Sequence, residues 1–234
     1  WEQIIHKLMD ILHLFTKYKR HVSLDDYYTV YLIKTQMRIS ELISHENDFK
    51  EIFSYDTILI NGEPMFNFYH FSNFIKREID RLYVDGKKNN CFIHGDFCLG
   101  NILFDPKSGI IRLIDPRGIW GKSLYGDIRY DVAKLRHSVA DEYDLIVNDF
   151  FTIKREDNSF DLAILSKKLH HPLKEILDNH IAFLWDINQI KFIEGLLFLS
   201  MIPLHKDNKD RQLAMYCIGL KNLNEVYKNM GGSQ

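Results

Sequence analysis

The sequence predicts an α+β fold that is mainly α-helical and forms one domain. Three observations lead there. Apolar residues recur at helical spacing near both ends of the chain, short apolar or β-branched runs interrupt that spacing in the middle, and the residues around those runs have turn chemistry. With 234 residues, 46% of them hydrophobic, the chain has ample material for a core. No repeat, low-complexity segment or linker marks an internal boundary.

The pattern Ile4, Ile5, Leu8, Met9, Ile11, Leu12, Phe15 predicts an amphipathic helix from Glu2 to about Tyr18. A second helix is expected from about Leu24 to Ser44, with Ser23 as N-cap and Asp25 and Asp26 in the first turn, where they complement the helix dipole. Thr57 to Ile60, then Asn61-Gly62, then Pro64 to Phe68 predicts a hairpin, because Asn-Gly accepts the positive φ angles of a tight turn. A helix follows from about Phe71 to Tyr83, and Asp85 to Asn90 is expected to form a polar turn. Strands are expected at Cys91 to Ile93, Asn101 to Phe104 and Ile110 to Ile114, the last two joined by the turn Asp105 to Gly109. After the Gly-rich stretch from Gly118 to Gly126, a helix is expected from about Tyr130 and a hairpin around Arg155 to Ser159. Helices are then expected near Ser166 to Phe183, Ile187 to Pro203 and Asp207 to Lys228.

Charge gives no reason to expect a nucleic-acid partner or a membrane surface: 30 Lys and Arg stand against 32 Asp and Glu, a net charge of -2. No apolar run reaches the roughly 18 residues that span a bilayer. Cys91, Cys98 and Cys217 are few, odd in number and lack CxxC spacing, which argues against a disulfide framework or structural zinc and fits a cytoplasmic protein. The chain opens at Trp1 with no initiator Met and runs straight into a helical pattern, as if cut from something longer.

The chemistry concentrates in His94-Gly95-Asp96-Phe97-Cys98-Leu99-Gly100-Asn101 and in Asp115. A carboxylate follows a strand, an amide stands five residues on where the next strand begins, and a second carboxylate ends the following hairpin. One base and two oxygen ligands brought together are what phosphoryl transfer to a hydroxyl requires.

These residues resemble the aminoglycoside phosphotransferase and choline kinase-like family, which has a protein-kinase-like fold. His94-Gly95-Asp96 and Asn101 have the spacing of the kinase His-Arg-Asp-x4-Asn loop, and Asp115-Pro116-Arg117 stands where protein kinases have Asp-Phe-Gly. The segment from Tyr125 through Asp127 and Asp131 to Leu135 looks like the stretch that follows the metal site in this family. In detail, Ile114 to Gly118 with Gly126 to Asp131 resembles kinase-like proteins of bacterial surface-polysaccharide synthesis.

The resemblance implies the C-terminal lobe of the kinase-like fold, with short hairpins carrying the catalytic and metal loops. It implies Asp96 as catalytic base, His94 as the residue orienting the loop, Asn101 and Asp115 as Mg²⁺ ligands, and ATP and Mg²⁺ as cofactors. The other partner would be a small hydroxyl acceptor such as a sugar or amino alcohol. Arg117, Asp127 and Asp131 are candidates for supporting the site or binding substrate. Equally, Asp127 and Asp131 can be helix caps, and Arg117 and Arg129 can be ion-paired with neighbouring Asp residues.

Other residues have plainer expectations. Phe66, Phe68, Tyr69, Phe71 and Phe74 are expected to pack in the core, although such a cluster can also stack on a base or sugar or cage an amine. His170, His171 and His180 show no metal-ligand spacing, and Cys91 and Cys98 are expected to act as small hydrophobes.

The family's glycine-rich hairpin and strand lysine, which cover and pair the nucleotide phosphates, have no counterpart among these residues. The nucleotide lobe is therefore expected to be absent from the chain: removed from a longer protein, supplied by another chain, or lost together with catalysis. A non-catalytic module that binds a small molecule or protein through the same lobe is the alternative function.

Overall fold

The computed structural model describes residues 2–166 and 170–231. Helix α1 (Glu2–Phe15) ends three residues before the expected Tyr18. There the N–H groups of Thr16, Lys17 and Tyr18 turn to carbonyls three residues back, tightening the last turn. Ser23 caps the next helix as expected, in a capping box with Asp26.

That second helix is not uniform. It runs as α2 (Leu24–Tyr27), a wide π-helical segment (Tyr28–Ile33) and α3 (Lys34–His45). A short α4 (Asn47–Ile52), without a signal in the sequence, follows. The hairpin of β1 (Thr57–Ile60) and β2 (Glu63–Phe66) has Asn61 and Gly62 at positive φ, as its turn demands. A 3₁₀ turn (Phe68–Phe71) leads into α5 (Ser72–Asn89).

Helix α5 corrects the expected polar turn at Asp85 to Asn90, because it continues through it for 18 residues. Gly86 is there for close approach: a Cβ would lie 2.4 Å from the Tyr27 hydroxyl. The helix ends only at Asn90, whose side chain accepts a 2.6 Å hydrogen bond from that same hydroxyl.

Strand β3 (Asn90–Phe92) pairs antiparallel with β6 (Tyr125–Asp127), and the hairpin of β4 (Ile102–Phe104) and β5 (Ile111–Leu113) lies between them in sequence. Helices α6 (Ile128–Val139) and α7 (Tyr143–Val147) follow, then the hairpin of β7 (Phe151–Glu156) and β8 (Ser159–Ile164). The sequence does not reveal that β8 lies parallel to β1, joining the two distant hairpins into one sheet of order β2-β1-β8-β7.

Helices α8 (His170–Leu184), α9 (Ile187–Met201) and α10 (Lys209–Asn229) complete a mainly helical α+β protein. Ser166, near which α8 is expected to start, is not helical; residues 167–169 and the side chains of His170 and His171 lie outside the described residues.

One buried apolar cluster links α1, α3, α5, α6, α9 and α10 with the strands. The segment Ile187–His205, with mean hydropathy 1.3, is long and apolar enough to cross a membrane, contrary to the expectation from the sequence. It is 67% buried inside the protein and forms the central core helix against α6 and α10. Helices α9 and α10 meet through Gly195 and Gly219, where a Cβ on either would lie 3.1 Å from the other's carbonyl oxygen. Phe68, Phe71 and Phe74 are buried in the core, Phe66 stacks on His70 at 3.7 Å, and Tyr69 stays exposed.

Candidate active site

The site is built on α6. Every residue from Ile128 to Ser138 is buried, six of them ionisable (Arg129, Tyr130, Asp131, Lys134, Arg136 and His137), so each polar group on this helix needs a partner. Those partners define the loop beside it.

Asp131, in the first turn, accepts hydrogen bonds from the N–H groups of His94 at 2.6 Å and Gly95 at 2.8 Å. Burial pushes its carboxyl up to about 7, against the pull of those two bonds. Gly95 is at φ +80° with Arg117 so close that a Cβ would lie 2.8 Å from the Arg117 Cβ, which explains the glycine. The Arg117 N–H donates to the His94 carbonyl at 2.9 Å, tying the segment after Asp115 to the His94–Asn101 loop.

One residue further on, the Asp96 N–H donates to His94 Nδ1 at 3.3 Å. Burial holds the His94 imidazole below its ordinary pKa, so it is neutral at pH 7 and acts on the loop's shape rather than as a charge. Asp96 is one-third exposed, its Oδ1 2.8 Å from Lys134 Nζ, while Asn101 Nδ2 donates to its Oδ2 at 2.9 Å and to its carbonyl at 3.0 Å. Burial raises this carboxyl, but the Lys134 ammonium and the Asn101 amide outweigh it and hold it below the usual range. Asp96 is therefore ionised throughout the neutral range.

Asn101 closes a 3₁₀ turn (Leu99–Asn101) at the start of β4, and the Ile114 N–H donates to its carbonyl at 3.0 Å. This bond brings the end of β5, and with it Asp115, to the catalytic loop. Asp115 is exposed and at φ +51°, a conformation an L residue adopts at some cost and one found at functional positions. Because the Asn101 amide nitrogen is spent on Asp96, its Oδ1 is the face available to a cation. An amide oxygen and an exposed carboxylate suit Mg²⁺, which takes few protein ligands and completes its shell with phosphate oxygens and water. Among the described residues no three His, Cys, Asp or Glu side chains gather into a metal site of their own.

Of the candidates from the sequence, His94, Asp96, Asn101, Arg117 and Asp131 come together around this loop. Asp127 is turned elsewhere. It caps α6 through the Arg129 N–H, pairs with the Arg129 guanidinium at 2.8 Å and accepts from the Tyr31 hydroxyl at 3.2 Å, all fully buried. Arg129 reaches on to the Leu82 carbonyl and Gln189, so this pair locks α6 to its neighbours. Cys91 and Cys98 are buried, and burial raises both thiols, Cys91 to about 12.

The sequence reading missed the opposite wall. Beside Asp96 opens a cavity of about 160 Å³, lined by Arg38, Arg117, Tyr130, Lys134, Tyr143 and His205, with Leu197, Ser200, Met201 and Leu204 closing its end. Tyr130 in its wall belongs to a Tyr and Trp cluster, with Trp120 edge-on to Tyr27, Tyr31 and Tyr130 at 5.3, 5.7 and 6.4 Å. A Gly126 side chain would strike the Trp120 ring at 2.5 Å. A signal for Lys134 was present: it is one helical turn from Asp131, on the same face of α6.

A family model, that of the phosphotransferase enzyme family (APH), matches residues 70–157. The match runs from the 3₁₀ turn before α5 to just beyond β7, and so takes in the His94–Asn101 loop, the β4–β5 hairpin, Asp115 and all of α6. No curated protein and no solved structure matches the chain.

Proposed function

We propose that this chain carries the catalytic loop, the metal loop and the acceptor pocket of an ATP-dependent kinase acting on the hydroxyl of a small molecule. The observation that carries it is the environment of Asp96. An ionised, one-third exposed carboxylate is held by Lys134 and Asn101 at the edge of a cavity of small-molecule size.

In this reading Asp96 orients the acceptor hydroxyl and takes its proton as the acceptor oxygen bonds to the γ-phosphorus. The bond from that phosphorus to the β–γ bridging oxygen breaks, and the products are ADP, the phosphate ester and one proton. Asn101 and Asp115 would hold Mg²⁺, which supplies charge compensation for the phosphate oxygens. Asp131 keeps the backbone of His94 and Gly95, and hence Asp96, in place. The glycine-rich cover for the nucleotide comes, on this reading, from chain outside these residues, and the reaction belongs in the cytoplasm, where ATP is supplied.

The test is transfer from labelled ATP to a panel of small hydroxyl compounds by the full-length protein. Asp96→Asn is expected to lower turnover by about 10²- to 10⁴-fold with the fold intact by circular dichroism. Unchanged turnover overturns the proposal, as does a wild-type protein that transfers to no compound and binds ligands equally well with and without Asp96.

A further inference from the structure

The cavity beside Asp96 is cationic, with more cations than carboxylates at its wall. Arg38, on α3, donates to the Ser200 carbonyl at 2.8 Å. Lys34, one turn earlier on the same helix, donates to the Tyr130 hydroxyl at 3.3 Å and lies 5.1 Å from the centre of that ring. Arg117 donates to the same hydroxyl from the other side and lies 5.6 Å from the ring centre. Two cations thus share one neutral oxygen, and a third sits on a carbonyl. Among the described residues Lys134 is the one of these four in ion-pair contact with an acid, Asp96, whose charge Arg117 also feels.

We infer, on the reading given above, that the phosphoryl acceptor is an anionic hydroxy compound, a sugar bearing a carboxylate or phosphate, whose anionic group docks on Arg38 and Arg117 beside Lys34.

Three observations support this. Arginine presents two parallel N–H donors that match carboxylate and phosphate geometry, and two of the three unpaired cations are arginines. Burial raises the Tyr130 hydroxyl, yet Lys34, Arg117 and Lys134 together pull it down to about 8, which shows a positive potential at this point of the cavity. Lys34 and Arg38 are both held below their ordinary values, first by burial and then by the Arg117 charge, so an incoming anion relieves a repulsion already present. The acids that act on these cations are Asp96, bound to Lys134 and felt by Arg117, Asp131, one turn before Lys134 on α6, and Glu41, which acts on Arg38; Asp207 acts on His205 at the far end. An amino alcohol or amino sugar would bring a fourth uncompensated cation and is disfavoured.

Position separates this pocket from the nucleotide. Its walls come from α3, α6, α7 and the end of α9, with Arg117 from the segment after β5, and none of its lining residues belongs to the β4–β5 hairpin itself.

The experiment is calorimetric titration of the chain, without ATP, with glucuronate, glucose 6-phosphate, inorganic phosphate, glucose and glucosamine. The two acidic sugars are expected to bind at least tenfold more tightly than glucose and glucosamine, and the tighter of the two identifies carboxylate or phosphate as the group recognised. Arg38→Ala and Arg117→Gln are each expected to weaken that binding at least tenfold. Arg117 is exposed, so its variant keeps the test valid if Arg38→Ala fails to fold. Binding of glucosamine or glucose as tight as the acids, or acid binding unmoved in Arg117→Gln, overturns the inference. Asp96→Asn separates this failure from that of the kinase reading, since it is expected to abolish transfer while binding the acidic sugar as well as or better than wild type.

Discussion

Tyr130 shows how one side chain reads out its surroundings. Its hydroxyl is buried, which alone would keep it protonated well past 10, yet the surrounding cations bring it to about 8. Because the folded value lies below the unfolded one, the contribution of Tyr130 to stability is fully present above pH 10 and is lost as pH falls through 8. Acceptor binding runs the other way. Above pH 8 the phenolate neutralises Lys34 and Arg117, so the KM for an anionic acceptor is expected to rise, and Tyr130→Phe is expected to flatten that limb of the profile. Steady-state kinetics from pH 6.5 to 9.5, on the order of one unit either side of the transition, check this. An unaltered profile in Tyr130→Phe assigns the limb to another group. The sequence shows Asp96 and Asn101 plainly because loop spacing is local. It does not show Lys34 or Arg38, since only the packing of α3 against α6 and α9 brings them to Tyr130.

At the scale of the element, α9 and α10 lie close because Gly195 and Gly219 face one another. Gly219→Ala should gain about 1 kcal/mol in helix propensity. Against this, its Cβ would lie 2.8 Å from Leu199 Cγ and 3.1 Å from the Gly195 carbonyl oxygen. The side chain can shift, but the backbone carbonyl cannot without spreading the helices, and overpacking of this kind costs about 1 to 3 kcal/mol. A net loss of stability in denaturant titration is therefore expected, and a more stable variant would show that the helices part freely. Helical periodicity made these elements legible but gave no warning of such contacts. The same limit explains Gly86, read as a turn from composition although the Tyr27 hydroxyl is the reason for it. It also explains the π-helical segment Tyr28–Ile33, whose residues keep a helical pattern. The union of β1 with β8, about a hundred residues apart, was invisible for a related reason: each hairpin has its own turn signal, and neither names its neighbour.

For the whole molecule, α6 is both the support of the site and the centre of the fold. Near its C-terminal end Arg136 bridges to Asp178 on α8 at 2.8 Å and to Glu194 on α9; Arg136 and Glu194 are buried and Asp178 is one-quarter exposed. Arg136→Ala leaves Glu194 buried without its cation and is expected to cost about 3 to 5 kcal/mol, seen as a lowered Tm. Arg136→Met with Glu194→Met removes both charges and is expected to recover most of that loss; a double variant as unstable as the single one would refute the pairing. The ion pair between Lys134 and Asp96 has a consequence of another kind. Water is a hydroxyl compound in vast excess, and a kinase whose base is always free squanders ATP on it. On the proposed reading that base is Asp96, which rests against the Lys134 ammonium, and an acidic acceptor is what would draw that ammonium aside. Lys134→Met is accordingly expected to raise ATP hydrolysis in the absence of acceptor, relative to transfer in its presence, and a ratio unchanged from wild type would show that idle turnover is restrained by other means.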